Sequence, residues 1–332
     1  MTRPIFRTVL SLAAFVSLAV PGPVLIAQES ELMISELPQG IASFGAARLG
    51  DHVYVYSGHT GKTHVYSFET TARGFFRVSL TRGGAWESLP IERPAQGLAL
   101  VAGEKELFRI GGMHASNEPG KPHDLHSLSE VSAFDPITTT WRKLPDLPEP
   151  RSSHRAAVHG QHIYVFGGWS LNGGEEGTWL DHGLVLDLKN EAAGWTAVTQ
   201  PTPVRALEVI EFQNQIWLIG GLTPDGEISS KIHVFDPIAQ QWSAGPDVPG
   251  MSANGNGIAA AVVGGSLVLA GMDGKVYRLN AESKSWSESA RLPDSRIHHR
   301  LIGDLDRLLV IAGASRAGHL KSAEFVSLPQ AK

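Results

Sequence analysis

The sequence predicts an all-β chain: six small antiparallel sheets of four strands each, set in a ring. Three observations lead there. Short apolar runs rich in β-branched and aromatic residues recur along the 332 residues and are bounded by Gly, Asn, Asp or Pro, the pattern of strands joined by turns. Six of these runs end on a small residue followed by glycine: Ser57-Gly58, Gly111-Gly112, Gly167-Gly168, Gly220-Gly221, Ala270-Gly271 and Ala312-Gly313. An aromatic strand and then a tryptophan follow most pairs, as in Phe134-Asp135-Pro136 before Trp141, Phe235-Asp236-Pro237 before Trp242, and Tyr277 before Trp286. A four-stranded meander of this size cannot bury itself, so units repeating at this length stack side by side as a propeller or solenoid.

Taken in order, residues 1–27 read as a secretory leader. Two arginines and no acid precede Thr8, an apolar stretch runs to Val20, Pro21-Gly22-Pro23 breaks it, and cleavage is expected after Ala27. The competing reading is an uncleaved anchor, against which the helix-breaking prolines count. Residues 28–332 then form one domain, with no linker or low-complexity run to divide it. Leu32-Met33-Ile34-Ser35-Glu36-Leu37-Pro38 is similar to the tails Trp86-Glu87-Ser88-Leu89-Pro90 and Trp141-Arg142-Lys143-Leu144-Pro145. The sixth repeat supplies only three strands and no tryptophan, so this N-terminal strand is expected to close the ring and cover its open edge. A glycine after a strand permits positive φ and lets another backbone or ring come close where a Cβ would collide. The Asp-Pro pairs start turns, since Asp accepts from its own backbone and Pro pre-sets φ. The tryptophans supply large apolar surface between neighbouring sheets.

With this strand, double glycine, aromatic residue and spaced tryptophan, the chain resembles the Kelch repeat proteins over nearly all residues after 30. Ser57, Ala270 and Ala312 depart from the pattern by replacing the first glycine. The resemblance implies a six-bladed Kelch-type β-propeller. In layout the chain is also distantly similar to the exported bacterial N-acetylneuraminate epimerases, which are sialic acid mutarotases, although their functional residues do not align to particular positions here. The Kelch fold occurs in galactose oxidase too, but that copper site needs a cysteine crosslinked to a tyrosine, and this chain has no cysteine.

Composition narrows the function further. Without cysteine there are neither disulfides nor thiolate metal sites, and no Asn-x-Ser/Thr sequon occurs. The formal charge of -5 becomes -7 once a leader carrying Arg3 and Arg7 is removed, which argues against nucleic acid as a partner. Gly255-Asn256-Gly257-Ile258-Ala259-Ala260 mimics a dinucleotide fingerprint, yet it leads into a strand and offers no helix N-terminus to a phosphate. No P-loop or nucleophile motif is present.

Alignment on the glycine pairs places the start of each inner strand at one mouth of the channel. Gln96, Arg151, Arg205, Asn254 and Arg296 stand there, with His154, Glu208, Asn256, His298 and His299 close behind. Clustered guanidiniums suit an anionic ligand such as a sugar acid, because Arg grips a carboxylate bidentately, and Glu or His beside them could move a proton in ring opening. The alternative for these arginines is bracing of neighbouring blades through carbonyls. A second surface is the loop carrying Trp169, Glu175, Glu176, Trp179, Asp181 and His182, whose rings and carboxylates suit a pyranose or a protein partner. His59, His114, His123 and His126 on the rim are imidazoles with weak claims as metal ligands, lacking a carboxylate at fixed spacing. The expected function is a secreted or periplasmic binding or protein-interaction module for a carbohydrate or small anion, with no cofactor. The alternatives are a mutarotase, an isomerase similar to N-acetylneuraminate epimerase, and a metal-dependent enzyme on the histidine rim.

Overall fold

The computed structural model describes Met1 and residues 32–329, so the expected leader and its cleavage site lie outside the described residues. Six antiparallel sheets follow one another along the chain. The first blade comprises Gly45–Leu49, His52–Tyr56, Phe75–Ser79 and Gly83–Ser88, and the second Ala99–Ala102, Leu107–Ile110, Val131–Asp135 and Thr140–Lys143. Arg155–His159, His162–Phe166, His182–Asp187 and Thr196–Thr199 make the third; Glu208–Phe212, Gln215–Ile219, Ile232–Asp236 and Gln241–Ala244 make the fourth. The fifth has Ala259–Val263, Ser266–Ala270, Lys275–Asn280 and Ser285–Arg291, and the sixth Arg300–Asp304, Arg307–Ser315 and Gly318–Ser327. Within every blade, strands pair in chain order, and the first strands line a central channel.

Each blade is covered on both faces by its neighbours, which is why its second strand is apolar throughout and not alternating: His52–Tyr56, His162–Phe166 and Gln215–Ile219 are buried along all but their first residue. Six apolar clusters fill the six junctions. Ile110, Ile163 and Leu184 belong to the one between the second and third blades, and Phe166, Leu207 and Phe235 to the next. The tryptophans add a polar link that apolar patterning does not reveal. The indole of Trp141 donates to Pro90 O, that of Trp195 to Pro145 O, Trp242 to Thr199 O and Trp286 to Pro246 O. Each of these acceptors lies four residues beyond the tryptophan of the preceding blade. The aspartate turns form as expected, with Asp135 Oδ1 accepting from Ile137 N at 2.7 Å and Asp236 Oδ1 from Ile238 N at 2.9 Å.

The N-terminal segment closes the ring, though in a form the sequence does not disclose. It runs as a strap across the seam between the sixth and first blades. Leu37 N donates to Lys321 O of the sixth blade at 2.7 Å, while Ser35 N donates to Gly84 O of the first and Gly84 N returns to Met33 O. Ile34 and Gly84 form an isolated parallel bridge, and Trp86 donates its indole N–H to Ser35 O, extending the tryptophan series to this seam. Among the described residues the sixth sheet keeps three strands. Ile34, Leu37 and Ile41 are buried in the seam with Phe44, Val55 and Ile311.

Candidate functional site

Five residues into the chain from the strap, the backbone begins a structure that rings the channel. Ser43, Gly97, Ser153, Ala206, Gly257 and His298, one from each blade junction, all have positive φ, between 51° and 62°. Each donates its N–H to the carbonyl of the previous one: Gly97 to Ser43, Ser153 to Gly97, Ala206 to Ser153, Gly257 to Ala206, His298 to Gly257, and Ser43 to His298. The distances run from 2.7 to 3.3 Å, and the circle is complete. This neck divides the channel from an outer mouth. Five of its six side chains are small; the His298 ring lies over Gly257, where an added Cβ would stand 2.6 Å from Nδ1.

Below the neck, the inner strands of the third, fourth and sixth blades begin on Arg155, Glu208 and Arg300, whereas the other three begin on Gly45, Ala99 and Ala259. The three small residues leave space for the three charged ones. Arg155, Glu208 and Arg300 are 8%, 8% and 7% exposed and line a cavity of about 290 Å³. Arg155 donates to Leu98 O and His154 O, with Nε 3.8 Å from Glu208 Oε1; Arg300 donates to His299 O and Phe44 O. Burial, and then repulsion by Arg155, bring Arg300 down to about 9. Burial, and then the nearby charges of Arg155 and Arg300, hold His298 down at about 3, so it is a neutral imidazole at ordinary pH.

Above the neck, the loops between the second and third strands of the blades build the mouth. Met113–Ala115, Leu125–Ser127 and Asn172–Gly173 form one small sheet, and Trp169–Ser170 pairs with Thr178–Trp179 in another. The second pairing brings Trp169 and Trp179 together, ring centroids 5.9 Å apart. The guanidinium of Arg205 sits 4.1 Å from the Trp169 centroid and 5.3 Å from that of Trp179. Burial lowers its pKa. From the first blade Tyr66 reaches the mouth, anchored by Asn117 Nδ2 donating to Tyr66 O; burial raises its phenol, and Arg205 opposes that rise. His59 packs between Tyr66 and His319, at 4.9 and 5.1 Å. Around this mouth His59 Nδ1, Gln96 Oε1, Trp169 Nε1, Arg205 Nε and His319 Nδ1 are all buried without a hydrogen-bond partner inside the protein.

The structure separates the residues that the repeat alignment groups together. Arg151 is fully buried and turns into its own blade, donating to Gly167 O and His182 O, both at 3.0 Å. Arg296, 1% exposed, does the same with Asp294 O, Ala312 O and the Ser322 hydroxyl. Neither guanidinium reaches the mouth, so the ligand role expected of them gives way to the bracing alternative. Asn254 is likewise spent on Pro249 O and Asp273 N, and His154 and His299 are enclosed at 0% exposure, their pKa values pushed well down by burial. Asn256 caps a short 3-10 turn, Ser252–Gly255, that leads into Ala259–Val263 as a strand. Of the mouth candidates, Arg205, His298 and Gln96 remain there, the last with Nε2 on Thr71 Oγ1.

In the rim loop, Trp169 and Trp179 join Arg205, while Glu175 and Glu176 are exposed on the far bend. His182 is held between Asp181 at 3.1 Å and Glu149 at 3.3 Å. The four rim histidines do not converge: His59 pairs with Tyr66 and His319, His114 stacks on His126, and His123 contacts Tyr66. Among the described residues no group of three or more His, Cys, Asp or Glu is placed to hold a metal ion. Arg155, Arg300, Tyr66, His64 and His319 are not among the residues that alignment on the glycine pairs selects; for the two arginines it stops four residues short, at Arg151 and Arg296. A signal for two of them is in the sequence: Arg151-Ser-Ser-His154-Arg155 and Arg296-Ile-His-His299-Arg300 share the pattern Arg-x-x-His-Arg. In both, the first arginine braces the blade, the histidine is buried, and the second arginine enters the channel.

Comparison with known proteins places this architecture. The KLHDC2/KLHL20/DRC7 Kelch-repeats domain matches residues 43–271. The chain belongs to the Kelch-repeat family. Among related Kelch chains, it is 27% identical over 210 residues to Kelch-like protein 35 of Mus musculus, covering 63% of this chain and 31% of that one. It is 30% identical over 205 residues to Beta-scruin of Limulus polyphemus, covering 61% of this chain and 21% of that one. The chain thus spans about a third or less of the length of these two relatives. The solved structure of YjhT superposes with a TM-score of 0.72 over 90% of this chain and 98% of that one, at 16% identity, which establishes the shared Kelch fold.

Proposed function

We propose that this Kelch propeller is a binding module whose outer mouth takes an anionic ligand, a sugar acid or a comparable small carboxylate, against Arg205. The observation that carries the proposal is the state of Arg205. It is a partly desolvated cation over two indoles, without a carboxylate partner among the described residues and with Nε unpaired. A ligand carboxylate supplies the missing acceptor, the flat faces of Trp169 and Trp179 suit a sugar ring, and the unpaired atoms of His59, Gln96 and His319 suit its hydroxyls. Titration calorimetry with sialic acid, glucuronic acid and glucose tests it. Wild type should prefer an acid over glucose, and Arg205→Gln should lose that preference by roughly tenfold or more, as for a charged hydrogen bond. Equal affinity for acid and neutral sugar, or an unchanged preference in folded Arg205→Gln, overturns it and leaves an acidic protein surface as the next ligand to try.

A mutarotase reading draws support from Glu208 beside Arg155 and from the neutral His298 at the neck, groups able to exchange protons with a ring-opening sugar. The same samples followed by NMR decide it through the rate of anomer exchange; no acceleration with sialic acid or the hexoses removes the reading. Export to the periplasm or medium is proposed from the leader alone, and N-terminal sequencing of the mature chain should begin at or near Gln28. An intact Met1 in a membrane fraction would favour an anchor.

A further inference from the structure

Below the neck, charge does not balance. Arg155 and Arg300 come from the third and sixth of six blades and therefore face each other across the channel, with Glu208 as the one acid at their level among the described residues. Glu208 Oε1 also accepts from Val209 N, at 3.0 Å, so its charge is shared. Farther along the channel, Arg48 is paired with Asp304 at 3.3 Å, and Glu211 accepts from Asn214 N and lies 3.9 Å from His159. Asp304 also pairs with Arg307 at 2.6 Å, so together Arg48, Arg155, Arg300 and Arg307 face three carboxylates, Glu208, Glu211 and Asp304, and one cation is in excess. Both arginines bond through part of the guanidinium to main-chain carbonyls, which are neutral acceptors, while Arg155 Nε has no hydrogen-bond partner and is buried. His298 stands above them as a neutral ring and adds no charge.

We propose that the central channel is a binding site for a small monovalent inorganic anion, of chloride's size and charge, held between Arg155 and Arg300. An uncompensated buried guanidinium is costly, and one negative charge restores neutrality where a divalent ion would overshoot. The cavity of about 290 Å³ has room for such an ion with a few waters, and its walls of Ala46, Leu98, Ala99 and Ala156 present no competing acceptor side chains. The site is separate from the Arg205 mouth and does not depend on the ligand proposed there.

The experiment is a melting series of the folded chain in fluoride, chloride and bromide at constant ionic strength, joined to the chloride-35 NMR linewidth. Bound ion should raise the melting temperature by about 3 °C per tenfold increase in chloride or bromide once the site is near saturation. Strongly hydrated fluoride should do less. Generic salt effects run the other way, since strongly hydrated anions stabilise folded proteins best, so the order itself is diagnostic. Arg155→Met should abolish both the chloride-dependent shift and the line broadening, while Arg205→Gln keeps them. Should Arg155→Met fail to fold, Glu208→Gln serves instead, because removing the competing carboxylate should tighten chloride binding several-fold. A fluoride-first order, broadening that survives Arg155→Met, or weaker chloride binding in Glu208→Gln overturns the proposal.

Discussion

Leu37→Ala isolates what the N-terminal strap contributes to the ring. The change leaves the backbone bond from Leu37 N to Lys321 O in place and removes a side chain that is 2% exposed, packed with Ile34, Ile41, Phe44 and Ile311 in the seam between the last and first blades. Truncating a leucine this buried costs about 2–5 kcal/mol. The middle of that range, about 3 kcal/mol, corresponds to a fall of roughly 6–12 °C in melting temperature for a domain of a few hundred residues. Calorimetry measures the fall, and fluorescence reports the seam directly, because Trp86 donates its indole N–H to Ser35 O on the strap. Met33→Ala is the control: its side chain is 72% exposed and its loss should stay within about 0.5 kcal/mol. If Leu37→Ala melts together with Met33→Ala, the strap does not hold the seam, and the ring is closed by contacts between the first and sixth blades alone.

Gly167→Val tests the glycine pair. With φ at +71° and an added Cβ only 2.7 Å from Val204 O, the substitution meets both backbone strain and an immovable carbonyl, and should cost about 3 kcal/mol or more by chemical denaturation; a neutral outcome would contradict the geometry. Acid should destabilise the fold before carboxylates titrate. His298 and His319 are held at about 3 and about 4 against an ordinary 6.5, chiefly by burial, so between those limits the unfolded chain binds more protons than the folded one. Stability is therefore full above pH 6.5 and falls as pH drops toward 4; melting measured from pH 7.5 to 4.5 should show it, His319→Asn should flatten the slope, and a pH-independent melting temperature would refute it.

The repeat was legible because its determinants are local. Gly167-Gly168 follows a strand and Asp135-Pro136 starts a turn whatever else the chain does, so six sheets could be counted from spacing. The strap was only half legible. Its Leu37-Pro38 matches Leu89-Pro90 in letters, but Trp86 donates to Ser35, three residues from the carbonyl that the match would select. That register is set by two blades at once. The arginines are harder to assign for a related reason: Arg151 lies in the irregular turn just before the strand that Arg155 begins, and which one enters the channel is decided by the carbonyls of Gly167 and His182, far along the chain. The meeting of Arg205 with Trp169 and Trp179 joins two blades through a rim hairpin, and nothing in either segment alone announces it.

The circle of six left-handed residues at the neck works as an iris of fixed aperture. Ser43, Ser153, Ala206 and His298 each occupy a conformation costing about 1 kcal/mol or more for an L-residue, and the bonds that compensate exist only when all six partners are present. Inserting or deleting one blade would therefore break the circuit, so the blade number is locked at the bore as well as at the seam. Because every N–H and C=O of the circle is consumed by its neighbours, the bore has no backbone chemistry left to offer a passing solute. Selectivity there rests on side chains alone, and those can be exchanged like facings on a rigid collar, a larger residue at Ser153 or a smaller one at His298, without altering the diameter of the frame that carries them.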